Sequence, residues 1–342
     1  MHEADGENPT TRIHLDIHGY RVRIECEIFT VLSGLADDFA FFRSTPSPDE
    51  TSIVLLERDP EYAEYGLAEA KVYTPRNVAY RLGQRTIIDY SGRCVGVLDP
   101  NAGSFQLSSL DRDLLYEAAY LFLLSRSGET LDRAALHRIH ALGVAVRGRA
   151  ALVLLPMGGG KSTLGSALLR HPEVNLLSDD SPLVDQSGAI HAFPLRIGLL
   201  PGSESGVPSD QLRTIQRMEF GPKLLVNYEY FADRVCATAE PALLFLGERS
   251  LDRQCSIRPA SWASAWRAML ANCVVGLGLF QGMEFIFGRG PAEAFAKLPI
   301  VLSRLRACRS LLRRSEVYHL TLGRDFERNA QAVLEKLLTF CS

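Results

Sequence analysis

Short stretches of alternating apolar and polar residues fill the first third of the chain, and this alternation is typical of half-buried β-strands. The stretches are rich in β-branched and aromatic residues and are separated by turn residues. The segments with this pattern are Arg12–Ile17, Tyr20–Cys26, Ser52–Leu56, Ala70–Tyr73, Asn77–Leu82, Arg85–Tyr90 and Cys94–Leu98. His18-Gly19 and Ser91-Gly92 lie between neighbouring segments and predict hairpin turns. The pattern therefore predicts a β-rich N-terminal domain.

The alternation gives way to helical spacing after Asp111. Apolar residues then recur every three or four positions, at Leu114, Ala118, Leu121 and Leu124. The segment Leu131–Leu142 continues this spacing, so a helical connector is predicted as far as residue 142, with His137 and His140 three residues apart on it. We therefore place a β-rich recognition or regulatory domain and the start of the connector at residues 1–125, and a second domain at residues 126–342.

The next apolar runs, Val144–Val146 and Ala150–Leu155, predict two buried strands, and the second leads into a glycine-rich loop. Gly158, Gly159, Gly160, Lys161, Ser162 and Thr163 form this loop, and residues of helical composition follow it. Strand, glycine loop and helix N-terminus are the parts of a phosphate-binding loop. Lys161 would reach the β- and γ-phosphates of ATP, and the Ser162 hydroxyl would bind Mg²⁺. The alternative is an ordinary glycine-rich turn, and Leu155 stands where the full motif has its first glycine.

Two aspartates follow the next predicted strand, Val174–Ser178. In a right-handed βαβ unit the carboxyl ends of both strands lie on one edge of the sheet, so Asp179 and Asp180 are expected beside the phosphate loop. One carboxylate could hold Mg²⁺ while the other accepts a proton from an attacking hydroxyl. On its own, this Asp-Asp-Ser-Pro segment would indicate a turn and a helix cap.

Two further cations could contact phosphate. Arg196 is expected in a strand shortly after the aspartates, where it would clamp a phosphate or simply lie at the strand edge. Lys223 is expected in a turn after a helix at Ser209–Met218, as a phosphate contact or as a solvent-exposed lysine.

The C-terminal region shows helical spacing with apolar stripes that predict buried helix faces. The first stripe is Trp262, Trp266, Met269 and Cys273, and the second is Leu298, Leu302, Leu305, Cys308 and Leu312. On the other side of the second helix, Arg306, Arg309 and Arg313 would form a solvated basic face or a docking surface for an acidic peptide.

Composition excludes several classes of protein. The 342 residues are 46% hydrophobic and 23% charged, with a net charge of -3, so a globular protein is expected and a disordered, collagen-like or coiled-coil protein is not. The near-neutral charge gives no bulk attraction for nucleic acid or a membrane surface. The seven scattered cysteines contain no C-x-x-C pair, which argues against a disulfide framework or a zinc site. Without an export signal or an apolar run of about 20 residues, we expect a cytoplasmic protein.

Three segments together resemble the catalytic domain of HPr kinase/phosphorylase: His140–Val144, Gly158–Ser162 and Leu177–Asp180. Within that family the chain looks most like the HPr-kinase-related proteins of lasso peptide biosynthesis clusters. The motif similarity covers about residues 137 to 200. The resemblance implies an α/β protein, α+β overall, whose P-loop kinase domain is related to phosphoenolpyruvate carboxykinase.

The resemblance also implies an activity: ATP- and Mg²⁺-dependent transfer of the γ-phosphoryl group to a serine hydroxyl of a peptide or small protein. The expected acceptor is the C-terminal serine of a lasso-type precursor peptide. Asp179 would act as base, Asp180 would assist Ser162 at the metal, and His140 would lie near the phosphates. HPr kinases form hexamers, so a homo-oligomer is also expected.

The chain departs from the family pattern at two positions: Ala141 follows the histidine where the family has glycine, and Leu155 replaces the first loop glycine. These departures favour a kinase that no longer uses HPr. A nucleotide-dependent switch or binding module and a small-molecule kinase are the alternative functions.

Overall fold

The protein, analysed as a computed structural model, is described over residues 11–199, 207–218, 221–276 and 297–341. Helices and sheets both contribute, so the expected mixed α/β class is confirmed. The chain divides into two compact units. The first comprises Met1–Ser127 with Ile215–Pro222, and the second comprises Gly128–Thr214 with Lys223–Ser342.

The first unit is built on an eight-stranded sheet with the order β1-β2-β3-β8-β7-β6-β5-β4 among the described residues. The strands are β1 (Arg12–Ile17), β2 (Tyr20–Cys26), β3 (Thr51–Leu56), β4 (Glu69–Tyr73), β5 (Val78–Leu82), β6 (Arg85–Asp89), β7 (Val95–Asp99) and β8 (Ser104–Ser108). All seven predicted strands are confirmed, with bounds that differ by no more than one residue at each end. His18 and Gly19 both have positive φ, as a tight hairpin turn requires.

Two elements of this region escaped prediction from the sequence. One is β8, which pairs with both β3 and β7. The other is helix α1 (Phe29–Asp38), whose N-cap residue Ile28 makes no side-chain capping bond. Because no Ser, Thr, Asp or Asn marks its start, the helix has no local start signal.

The connector is a single helix, α2 (Arg112–Arg133), and the prediction of helix as far as residue 142 is wrong. Ala135 has a positive φ of 59°, and Leu136 N–H donates to the Leu131 carbonyl, which closes the helix. Strand β9 (His137–Arg138) follows. His137 and His140 therefore do not share a helix face. The apolar spacing was misleading because apolar residues in a fully buried segment can fit both the spacing of a helix and that of a strand.

The second unit contains a nine-stranded sheet and a three-stranded sheet within the described ranges. Besides β9, the strands are β10 (Leu142–Val146), β11 (Arg149–Leu154), β12 (Asn175–Ser178), β13 (Leu183–Val184), β14 (Ile190–His191), β15 (Ile197–Leu199), β16 (Leu212–Ile215), β17 (Lys223–Val226), β18 (Thr238–Arg249), β19 (Ser256–Pro259) and β20 (Glu316–Leu322). The large sheet runs β12-β10-β11-β18-β14-β13-β9, and β20 pairs with β18 and β19. The small sheet has the order β15-β17-β16. Strand β18 is parallel to both β11 and β20.

Four described helices accompany these sheets: α3 (Lys161–Leu168), α4 (Trp262–Met269), α5 (Leu298–Arg313) and α6 (Phe326–Phe340). A π-helical turn, Leu270–Val275, directly continues α4. The predicted helix at Ser209–Met218 is wrong, because this segment holds one 3₁₀ turn, Ser209–Gln211, followed by β16. None of the described helices is both long and apolar enough to cross a bilayer.

A hydrophobic cluster covers each of the two faces of the large sheet. On β11, Ala151 and Val153 belong to one cluster, as does Leu155 just after the strand, and Ala150, Leu152 and Leu154 belong to the other. Helices α3 and α6 cover the first face, and α4 and α5 cover the second. A strand buried on both faces reads as a continuous apolar run, which is why β11 was visible in the sequence.

The predicted stripes of the C-terminal helices are confirmed in part. Met269 and Cys273 are buried, but Trp262 is exposed. On α5 the prediction is wrong for Leu298 and Leu302, which are exposed. The prediction is confirmed for Cys308 and Leu312, which share the buried face of α5 with Arg304, Ala307 and Leu311. Arg304 was not expected there because its burial depends on a partner elsewhere in the chain, as described below.

Candidate active site

The glycine-rich loop links the end of β11 to the start of α3, and each of its three glycines has a steric reason. Gly159 N–H donates to the Pro156 carbonyl at 2.9 Å, and Gly158 within this turn has a φ of 73°. A Cβ on Gly159 would lie 2.8 Å from the same carbonyl oxygen. Gly160 has a φ of 96° and precedes the first residue of α3. Because L-residues avoid positive φ, the loop needs glycine to reach the helix N-terminus.

Leu155, which departs from the phosphate-loop motif, is accommodated by a second glycine on the neighbouring strand. Its side chain is buried, and a Cβ on Gly247 would lie 2.6 Å from Leu155 Cδ2. Gly247 therefore leaves the space that the leucine occupies. The Leu155 carbonyl accepts a hydrogen bond from Lys161 Nζ at 2.9 Å, so the backbone here still contacts the loop lysine.

We expect Leu155→Ala to lower the free energy of unfolding by about 2–5 kcal/mol, because it leaves a cavity beside Gly247 without removing a hydrogen bond. Met157, at the exposed tip of the loop, provides the matched control. Met157→Ala should change this free energy by no more than about 0.5 kcal/mol. Urea denaturation measures both, and equal stability of the two variants would contradict the packing role of Leu155.

Lys161 is a buried cation held by three groups. Its Nζ lies 2.6 Å from His140 Nε2 and 3.3 Å from Asp180 Oδ1, and it donates to the Leu155 carbonyl. The side chain is only 8% exposed. An ammonium can be buried this deeply because a carboxylate and hydrogen-bond acceptors surround it.

His140 lies at the site, although it is not part of the helix that the sequence predicts. It is buried in the segment between β9 and β10, and its backbone N–H donates to the carbonyl of Asn272 in the π-helical turn. The next residue, Ala141, donates its N–H to the Asp180 carbonyl. The histidine segment is thus tied by its backbone to the aspartate pair and to the end of α4.

Asp179 is nearly fully buried at the end of β12. Its Oδ2 accepts a hydrogen bond from the Ser162 hydroxyl at 2.7 Å. Its Oδ1 is buried without a hydrogen-bond partner among the described residues. Burial raises the pKa of Asp179 to about 6; the Ser162 hydrogen bond opposes that rise, and the charge of Asp180 adds to it. A carboxyl group with a pKa in this range can exchange a proton near neutral pH.

Asp180 differs from its neighbour in exposure and in partners. Its side chain is 54% exposed and pairs with Lys161, and its Oδ1 lies 3.8 Å from His140 Nε2. The turn is fixed by Ser178, whose hydroxyl donates to the Phe193 carbonyl and accepts from Ser181 N–H. The segment is therefore both a turn, as its composition indicates, and the place where two carboxylates meet the loop.

Lys223, expected in a turn, is the first residue of β17. Its side chain passes over Gly198 on β15, where a Cβ would collide with it, and its positive charge lowers the pKa of Asp179. Lys223 therefore lies near the carboxylates. Arg196 is not in a strand, because β15 begins one residue later. Thr163 follows Ser162 in the first turn of α3.

A second polar cluster has the residue types of a Ser-His-Asp relay. His137 Nδ1 lies 2.8 Å from Asp132 Oδ1, and His137 Nε2 lies 2.8 Å from the Ser303 hydroxyl. His137 is completely buried, and Arg304 holds both oxygens of Asp132. Burial would raise the pKa of Asp132, but the hydrogen bonds from His137 and Arg304 lower it.

The contacts of this cluster indicate a structural role. Arg304 also donates to the carbonyls of Cys273 and Val274 in the π-helical turn, the turn that supports the backbone of His140. No local pattern in the sequence indicates the cluster, because Asp132 and Arg304 are 172 residues apart.

Comparisons with known proteins add little to this geometry. No protein-family model matches the sequence, and no curated protein matches it. Among solved structures, the chain is similar to the HPr(Ser) kinase/phosphatase from Coxiella burnetii, with 15% sequence identity and a TM-score of 0.26. The match covers 59% of this chain and 93% of the other. A likeness at this TM-score supports no inference about activity, so the function must come from the contacts around Lys161.

Proposed function

We propose that the chain is a kinase that transfers the γ-phosphoryl group of ATP to a serine hydroxyl of a peptide or small protein. The observation that carries this proposal is the hydrogen bond between Ser162 in the loop and Asp179, a buried carboxyl with a raised pKa, close to Lys161. It joins a phosphate-binding loop to a group that can accept a proton. A simple binding module needs no group that accepts a proton.

The nucleotide site is the turn from β11 into α3. The first N–H groups of a helix lack intrahelical acceptors and point along a dipole whose positive end attracts anions. Gly158–Gly160 bring the backbone close to that end, and Lys161 would contact the β- and γ-phosphates. Lys223 adds positive charge near the same edge, and Arg196 remains a proposed phosphate contact.

The residues at this site fit Mg²⁺. Within the described ranges no cluster of three or more His, Cys, Asp or Glu side chains could hold a metal ion alone. Magnesium, however, is usually held by one or two carboxylates together with water and substrate phosphates. The Ser162 hydroxyl and Asp180 are oxygen donors of this kind, and the unpartnered Oδ1 of Asp179 is a third oxygen at the site. When bound, Mg²⁺ would neutralise charge on the β- and γ-phosphates.

The two aspartates suit different tasks. Asp179 is buried with a pKa near 6, which suits a general base. In the transfer, the acceptor oxygen forms a bond to the γ-phosphorus, the bond from that phosphorus to the β–γ bridging oxygen breaks, and ADP leaves. The hydroxyl proton goes to Asp179. Asp180 pairs with Lys161 and would help to hold the metal, and His140 would keep the Lys161 ammonium in place.

The acceptor is proposed from the sequence resemblance alone: the C-terminal serine of a lasso-type precursor peptide. To test the proposal, we would incubate the protein with γ-labelled ATP, Mg²⁺ and peptides with internal or C-terminal serines, and locate label by mass spectrometry. Lys161→Met is the matched control. Removal of the ammonium group leaves Asp180 without its ion-pair partner, but the Asp180 side chain is half exposed and remains in contact with water.

We expect label on serine with the parent protein and at least about 10²-fold less with Lys161→Met, since the loop lysine neutralises charge on the transferred group. Tight ATP binding without phosphoryl transfer to any peptide would favour a nucleotide switch. Label on a small molecule instead of a peptide would favour a small-molecule kinase.

A further inference from the structure

Arg249 lies beside the glycine-rich loop although the loop motif does not include it. Its Nη1 is 3.1 Å from the point where a Cβ on Gly160 would lie. Gly160 is the residue immediately before Lys161 and the N-cap of α3. The guanidinium is therefore adjacent to the helix end that the proposed function assigns to the phosphates.

The sheet explains how an arginine so distant in sequence reaches the loop. Arg249 is the last residue of β18, which is parallel to β11, the strand that leads into the loop. In their register Leu154, the end of β11, pairs with Leu246. On β18, Arg249 therefore lies three residues beyond the residue that pairs with the end of β11. This is the carboxyl edge of the sheet, where parallel sheets bind ligands.

An aromatic ring supports the guanidinium. Arg249 Cζ lies 5.4 Å from the centre of the Phe326 ring, at the first residue of α6. This distance is within the range of a cation–π contact, which restricts the guanidinium without occupying its N–H donors. Arg249 is exposed, and among the described residues no carboxylate forms an ion pair with it. Its donors are thus available to a ligand, unlike the charge of Lys161, which Asp180 partly neutralises.

We propose that Arg249 binds the β- and γ-phosphates of the nucleotide in the loop and stabilises the negative charge on the phosphoryl group during transfer. Phe326 is a positioning residue that holds the guanidinium over Gly160. A planar guanidinium suits this task because it can bind two phosphate oxygens at once. This inference rests on the proposed kinase function and adds a second cation, from β18, to the machinery of the loop.

The test compares Arg249→Ala, Arg249→Lys and Phe326→Leu with Arg267→Ala, an exposed arginine on α4. Calorimetric titrations with ATP, ADP, AMP and inorganic tripolyphosphate measure affinity, and the labelled-phosphate assay measures kcat and KM. Binding of tripolyphosphate requires no acceptor, so the affinity result does not depend on the choice of peptide.

For Arg249→Ala we expect ATP and tripolyphosphate to bind about 10- to 100-fold more weakly, as for a lost charge-assisted hydrogen bond, with AMP affinity unchanged. kcat should fall by about 10²-fold or more. Arg249→Lys should restore affinity more than kcat, because lysine supplies the charge but not the planar pair of donors. Phe326→Leu should reduce kcat with a smaller change in KM, Phe326→Tyr should restore it, and Arg267→Ala should behave like the parent protein.

Parent-like tripolyphosphate affinity and kcat in Arg249→Ala would overturn this inference alone. If the parent protein binds neither ATP nor tripolyphosphate, the proposed function itself fails and the inference fails with it. Equal losses in Arg249→Ala and Arg267→Ala would indicate a general effect of surface charge and would also overturn the inference.

Discussion

Asp179→Asn is expected to lower turnover by about 10²- to 10⁴-fold while ATP still binds, because the variant keeps the shape of the site and loses the group that accepts the proton. The amide oxygen can still accept the Ser162 hydrogen bond, so the loop should stay in place. In the parent protein, kcat/KM should fall as the pH drops through about 6, the pKa of this carboxyl, because the base becomes protonated.

The same substitution should stabilise the fold at neutral pH. Because the folded-state pKa of Asp179 is raised, the folded protein binds this proton more tightly than the unfolded chain does. The parent protein therefore loses stability as the pH rises from about 4 to about 6, on the order of 2–3 kcal/mol in total. The amide cannot ionise, so the stability advantage of the variant should grow over that window and then level off.

Thermal denaturation of both proteins between pH 4 and 8, together with kinase assays at each pH, measures the two effects. Asp185→Asn provides a control, since Asp185 is an aspartate of a surface turn whose contacts with Ser187 and His191 lie outside the loop. A variant that retained turnover would rule out Asp179 as the base. If the parent protein bound a partner in a nucleotide-dependent way but transferred no phosphoryl group, and Asp179→Asn bound the partner equally well, the protein would be better described as a nucleotide switch.

Arg304→Met should lower the free energy of unfolding by about 3–5 kcal/mol, since it leaves Asp132 nearly buried without its cation. It also removes the donor to the carbonyls of Cys273 and Val274. The effect should reach the active site, because the same π-helical turn accepts the backbone hydrogen bond of His140. Arg306→Met, an exposed neighbour on α5, should change stability by no more than about 0.5 kcal/mol.

A double variant separates the loss of the ion pair from a general defect in packing. Asp132→Leu combined with Arg304→Met removes both charges and should be more stable than Arg304→Met alone, because no uncompensated carboxylate remains. Denaturant titrations of the single and double variants measure this coupling. If the loss in free energy of unfolding of the double variant equals the sum of the losses in the two single variants, the pair does not act as one unit.

The sequence was most informative where structure is local. The hairpin turn at His18-Gly19 and the strand, loop and helix around Lys161 depend on residues close together in the chain, and all were predicted. The position of Asp179 and Asp180 beside the loop was also predicted, because the strand before the loop and the strand before the aspartates run parallel and end at one edge of the sheet. The functional roles of these residues remain predictions.

What could not be predicted depends on partners far along the chain. Nothing in the local sequence marks Arg304 as buried, and its burial depends on Asp132 and on the carbonyls of Cys273 and Val274. Arg249 carries no local sign that it ends a strand beside the loop. His140 was singled out through the family resemblance and not by any local pattern, and the helix assigned to it was wrong because its backbone partner, Asn272, lies in a distant turn.

The contact between Leu155 and Gly247 constrains how this loop can change in evolution. A larger residue at 247 would collide with the leucine, and a smaller residue at 155 would leave a gap beside the glycine. Neither position can accept a new side chain freely while the other stays as it is. Relatives that carry the usual first loop glycine are released from this constraint, so the two positions should covary across an alignment as a steric pair, although they are far apart in the sequence.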